Sequence, residues 1–110
     1  MAFTAYHNIT GSTGINIELI APGEEVDAVK SITIANTHAT ADATVSLFIQ
    51  NDPVTGTTST FYMFKTVAIP SDTSLLLDNS NMLSFNNGEE GFGLYLTVGA
   101  SDTLDVLIKV

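Results

Sequence analysis

Between Ser31 and Ile49 the chain reads SITIANTHATADATVSLFI: apolar and polar residues alternate, small polar residues interrupt, and the alternation resumes. A period of two places every second side chain on the same face of an extended backbone, whereas a helix needs a period near 3.6. No window of the chain sustains the helical period, and the two-residue period recurs between turn signals along its length. Strands patterned in this way bury their apolar faces by stacking sheets, and that requirement constrains the fold more tightly than composition does.

The expected strands can be read in order. Residues 3–8 form a short first strand or arm, broken at residues 11–14. Ile15, Ile17 and Leu19 alternate with Asn16 and Glu18 as far as Ala21, Pro22 and Gly23, where proline presets φ and glycine permits a positive φ. From Val26 the chain is expected to run extended to Asn36; Val45, Leu47 and Ile49 share a face beyond residues 37–42, a connection of hairpin length. Residues 51–56 are a stronger stop. Residues 60–69 are apolar on both faces, with Phe61, Met63 and Val67 on one and Tyr62, Phe64 and Ala68 on the other, until Pro70 ends the run. Leu75 to Leu77 and the segment 82–85 come next, then a loop at 86–91. Two final strands follow, with Leu94, Leu96 and Val98 facing in from one and Leu104, Val106, Ile108 and Val110 from the other. Seven or eight strands at this spacing predict an all-β fold, a two-sheet antiparallel β-sandwich, Ig-like or jelly-roll-like. Residues 1–110 make a single domain, with 1–10 as an N-terminal arm or first strand.

Charge narrows the partners. Twelve acids stand against Lys30, Lys65 and Lys109, with no arginine, for a net charge of −9. Such a field repels phosphate backbones and anionic lipid heads, so neither nucleic acid nor a membrane surface is an expected partner. Its plainest role is to keep a β-rich protein soluble. At 45% hydrophobic and 14% charged residues, a chain this short fills a core and leaves apolar surface over, which points to a partner or to self-association. There is no cysteine, hence no disulfide and no thiolate site. The opening MAFTAYHNITG has neither a basic start nor a long apolar run, so a cytoplasmic product without signal peptide is expected. The Asn8-Ile9-Thr10 sequon is then a chance match.

Reaction chemistry finds little support. Ser46, His38 and Asp42 supply the residue types of a nucleophilic triad, but the Gly-x-Ser-x-Gly context is missing, and the simpler reading leaves the His38 ring in a solvated connection. The carboxylate groups Glu24-Glu25-x-Asp27, Glu89-Glu90 and Asp102-x-x-Asp105 lack the spacing and glycine of a calcium loop. No phosphate-binding glycine motif is present. No catalytic residue, metal ligand or cofactor is therefore expected. What remains is backbone and apolar surface: sheet edges able to pair with another chain, with Lys65 and Asp105 as candidate edge blockers. Tyr62 and Phe64, flanking Met63, form either an exposed aromatic strip or part of a sheet buried on both faces.

The segments SITIANT at 31–37, ATVSLFI at 43–49, FYMFKTVAIP at 61–70 and SLLL at 74–77 resemble small β-sandwich virion proteins of tailed bacteriophages. GLYLTV at 93–98 and LDVLIKV at 104–110 are similar to the last hairpin of those proteins, although Gly91-Phe92-Gly93 stands where they usually carry Gly-Asp. The resemblance spans about residues 26–110 and implies a non-enzymatic structural role in the virion. The expected place is the outside of the head, as a capsid decoration or cement protein on the major capsid protein or another virion protein, with self-association into trimers as a further expectation. Phe3, Tyr6, Tyr62 and Phe64 are the expected apolar anchors. The alternatives are a neck, tail or fibre component, or a carbohydrate-binding adhesin module.

Overall fold

Turn residues interrupt the alternation where strands stop, and the strands between them all pair antiparallel. The computed structural model describes residues 4–10, 16–24, 29–51, 59–79, 83, 85–88, 91–99 and 102–109. In chain order the strands are β1 (Thr4–Thr10), β2 (Asn16–Ile20), β3 (Ser31–Asn36), β4 (Ala43–Asn51), β5 (Ser59–Ile69), β6 (Ser74–Leu77), β7 (Gly93–Val98) and β8 (Thr103–Lys109). A first sheet has the order β1-β8-β3-β6 and a second the order β2-β7-β4-β5. The chain is all-β, a sandwich of two antiparallel four-stranded sheets.

The strand order specifies which sandwich it is. β4 pairs with β5, β3 with β6, β2 with β7 and β1 with β8. The first half of the chain thus pairs with the second half in reverse, as one long hairpin rolled so that successive stretches fall in alternate sheets. Lateral pairing of β3 with β8 and of β4 with β7 completes each sheet. This is the eight-stranded jelly roll rather than the Ig-like order.

That topology corrects two expectations. Residues 31–49 are not a hairpin: β3 and β4 lie in different sheets, and residues 37–42 carry the chain from one to the other. β3 already has neighbours on both sides in β8 and β6, so no edge is left for β4. β7 and β8 likewise lie in opposite sheets instead of forming a closing hairpin. Asp105 consequently lies on an interior strand and blocks no edge, whereas Lys65 is on the edge strand β5. In the segment 82–85, Leu83 donates its amide to the Asn79 carbonyl at 3.1 Å, a helical-turn contact rather than a ladder. Val26, Met82 and Val110 lie outside the described residues.

Alternation fills the core from both sides. Ile32 and Ile34 of β3 and Leu104, Val106 and Ile108 of β8 point inward from the first sheet, opposite Val45, Leu47, Leu94 and Leu96 of the second. Burying each such side chain contributes about 1.5–3 kcal/mol, so the facing aliphatic layers are the main stabilising force.

β5 departs from simple alternation. Its 11 residues face the 9 of β4, and the register shifts on either side of Leu47. Two extra residues on one strand are two bulges, and each reverses the parity of the residues beyond it. Phe61, Phe64 and Val67 therefore stand opposite the inward Ile49, Leu47 and Val45, while Tyr62 stands opposite Phe48. The expected division of this strand into a Tyr62/Phe64 face and a Phe61/Met63 face does not hold. Thr66 sits in the first bulge at φ 56°, a conformation costly for a β-branched residue.

Candidate functional site

One row of side chains crosses the outer face of the second sheet. Register places Glu18 on β2 opposite Tyr95 on β7, Tyr95 opposite Phe48 on β4, and Phe48 opposite Tyr62 on β5. Although Phe48 points away from the core, it is only 2% exposed, because both tyrosines cover it. The Tyr95 ring stacks on it at 5.8 Å and 21°, and the Tyr62 ring tilts against it at 5.2 Å and 46°. Cross-strand aromatic pairs of this kind contribute about 0.5–1.5 kcal/mol each beyond area burial. The ends of the row are charged: Tyr95 donates its hydroxyl to the Glu18 carboxylate at 3.3 Å, and the Lys65 ammonium lies 5.0 Å from the Tyr62 ring centre. Gly93 makes the arrangement possible, since a Cβ there would stand 2.9 Å from the Tyr95 hydroxyl and 2.8 Å from the Ile20 carbonyl oxygen.

A second row crosses the outer face of the first sheet. Tyr6 of β1 stands opposite Leu107 of β8, Leu107 opposite Thr33 of β3, and Thr33 opposite Leu76 of β6. Tyr6 is 70% exposed and Leu76 57%, so both edges of this sheet present apolar groups to solvent. Phe61, 58% exposed at the margin of the core, meets only the Phe92 ring edge-on among the aromatic contacts of the described residues.

Most of the described polar residues singled out in the sequence are occupied with structure. Ser46 lies on the outer face of β4 and accepts the Thr66 amide on its hydroxyl at 2.8 Å. The His38 Nδ1 accepts the amides of Thr40 and Ala41, both at 3.1 Å, which orders the crossover between sheets. Asp102 accepts the Thr44 amide, Glu24 the Ala21 amide, and Asp105 the Asn8 side-chain amide. Ser46, His38 and Asp42 thus form no hydrogen-bonded triad. Among the described residues no cluster of three or more His, Asp or Glu gathers where a metal could bind. Glu25, Asp27, Glu89 and Glu90 lie outside the described residues.

Two buried asparagines that composition did not single out organise the ends of the sandwich. Asn36 donates its side-chain amide to the Ala41 and Ile69 carbonyls at 2.9 Å each, and its carbonyl oxygen accepts the His38 amide. Asn87 donates to the Ala21 and Phe92 carbonyls at the opposite end. Their sequence signal is slight: an asparagine at a strand end is ordinary turn chemistry until the chain folds over it.

Of the expected anchors, Tyr6 and Tyr62 are exposed, one on each sheet, and Phe64 is half-buried against the core. Phe3 lies outside the described residues. The structure does not bring Tyr6 and Tyr62 onto one face, and it adds Leu76, Leu107, Phe48 and Tyr95 to the surfaces they occupy.

No protein-family model, no curated protein and no solved structure matches this chain.

Proposed function

We propose that the chain is a non-enzymatic structural subunit of a tailed-bacteriophage virion, a decoration or cement protein on the outside of the head that contacts the major capsid protein or another virion protein. One observation carries the reading. Among the described residues, the large apolar and aromatic side chains left in solvent, Tyr6, Phe61, Tyr62 and Leu76, all lie on edge strands of the two sheets. Of the groups able to do chemistry, Ser46, His38 and Asp102 accept backbone amides, and the His7 Nε2 is buried without a hydrogen-bond partner among the described residues. Such a domain offers contact area and sheet edges rather than a reaction centre. The resemblance of its strand grammar to small phage virion proteins points to this kind of particle, and the net charge of −9 suits an exterior position away from packaged DNA.

Negative-stain images of particles assembled with and without the chain test this reading. Loss of the chain is expected to leave tails unchanged and to yield heads that release DNA on milder heating. Unchanged heads with an altered tail would move the subunit to the neck, tail or fibre.

The row Tyr62–Phe48–Tyr95 supports a second reading, a carbohydrate-binding adhesin module in which tyrosine rings stack on sugar faces between Glu18 and Lys65. Glycan-array binding lost in Tyr62→Ala and Tyr95→Ala would favour it, and an array without signal would remove it.

A further inference from the structure

The outer face of the first sheet has a charge pattern that matches its own inverse. Its central row is Tyr6, Leu107, Thr33 and Leu76, one residue from each strand at one register level. On β8 the next outward residue to one side of Leu107 is Lys109 and to the other side Asp105. These two are the only charged side chains pointing outward from the described strands of this sheet. The molecule as a whole carries −9, so a face with balanced charge is the place where a second copy meets least repulsion.

We propose that two copies of this chain associate face to face through this sheet, about a two-fold axis lying along the Tyr6–Leu107–Thr33–Leu76 row. Rotation about that axis returns each member of the row to its own counterpart, so Leu107 packs on Leu107 and Tyr6 on Tyr6. The flanking rows exchange, which sets Lys109 of each copy over Asp105 of the other. A two-fold running along β8 would set Lys109 on Lys109 and Asp105 on Asp105, and like charges oppose it; one parallel to the strands through the sheet centre would set Lys109 over Ser31 and Asp105 over Ala35 and leave both charges without a partner. The apolar row supplies contact area and the two charges select the orientation. The Asn8 amide, donating to the Asp105 carboxylate at 2.7 Å, holds that carboxylate on the outer face. A single four-stranded face falls at the small end of interface sizes, so the dimer is concentration-dependent. This association stands independently of the virion reading, since it needs nothing but the chain itself.

Sedimentation of the full chain over a range from about 5 to about 500 μM tests it, a span chosen for a small interface. The expected result is a monomer–dimer equilibrium. Leu107→Glu is expected to weaken it at least about tenfold, the scale of losing one buried contact and its partner's fit. Asp105→Lys and Lys109→Asp, each of which sets like charges face to face, are expected to weaken it about tenfold. The double variant Asp105→Lys/Lys109→Asp restores the opposite-charge pairing and is expected to return to within about threefold of the starting affinity. A fold defect in the single variants would persist in the double variant, so recovery separates interface from folding. A chain that stays monomeric throughout, a trimeric mass, or a double variant as weak as its singles added together would overturn the proposal.

Discussion

Ser46 and Thr66 are joined across β4 and β5 by one hydrogen bond, the Thr66 amide donating to the Ser46 hydroxyl at 2.8 Å. That bond receives the amide which the bulge removes from the ladder, and it holds Thr66 at φ 56°. The reversed parity turns Phe64 to the core, and the other bulge, at Met63, restores the alternation that sets Tyr62 opposite Phe48. The inward turn of Phe64 thus depends on a serine whose residue type first suggested a nucleophile.

Replacing Ser46 by alanine leaves the Thr66 amide without its partner and is expected to cost about 1–2 kcal/mol, measured by urea unfolding. Thr66→Gly relieves a left-handed conformation that costs a β-branched residue about 1–2 kcal/mol, partly offset by glycine's greater unfolded freedom. A small gain in stability is expected. A loss of more than about 1 kcal/mol, the size of the strain itself, would mean that the bulge is not strained.

Asn36 is 2% exposed and satisfies three backbone groups at the crossover between sheets. Asn36→Ala strands two carbonyls and one amide, for an expected loss of about 2–4 kcal/mol. Asn36→Asp is expected to be no better, because a carboxylate facing the Ala41 and Ile69 carbonyls has no proton to donate at neutral pH. Unfolding midpoints of the two variants check this, and a wild-type midpoint for either would contradict the assigned role.

Gly93→Ala forces a Cβ against the Ile20 carbonyl and the Tyr95 hydroxyl. An overpacked contact of this kind costs about 1–3 kcal/mol. The near-ultraviolet circular dichroism of the tyrosines is expected to change in parallel, because the Tyr95 ring must leave its place on Phe48. An unaltered spectrum would show that the ring does not lie along β7 toward Gly93.

Phe48 and Tyr62 are expected to differ sharply on truncation. Phe48→Ala opens a cavity beneath two rings, with an expected loss of about 3–5 kcal/mol. Tyr62→Ala removes a half-exposed ring and is expected to cost less than about 2 kcal/mol. Hydrogen exchange should localise the Tyr62 effect to β5, whose outer edge has no strand neighbour among the described residues.

The local pattern was legible in the sequence to the extent that it depends on local chemistry. Alternation placed Leu104, Val106 and Ile108 inward, and Pro22 and Pro70 marked true strand ends, because side-chain parity and fixed φ act within a few residues. Strand partnership was not legible. SITIAN and ATVSLFI read as a hairpin because a connection of the length of residues 37–42 joins strands within a sheet as readily as between sheets. Only the pairing of β3 with β8, about 70 residues away, decides the matter, and a contact of that range leaves no local trace. The aromatic row was hidden for a related reason. Phe48 reads as core by composition, although the alternation that turns Val45, Leu47 and Ile49 inward turns it outward; the rings that cover it, Tyr95 and Tyr62, come from partner strands that local pattern does not reveal. Tyr6 and Tyr62 were readable as surface residues by type, and both are exposed, but their separation onto two sheets again belongs to the topology.

Copy number in the particle bears most directly on the structural role. Quantitative peptide counting in purified, washed virions should find this chain in a fixed small-integer ratio to the major capsid protein. Its absence from washed particles would contradict the account, and a handful of copies per particle would contradict the placement on the head.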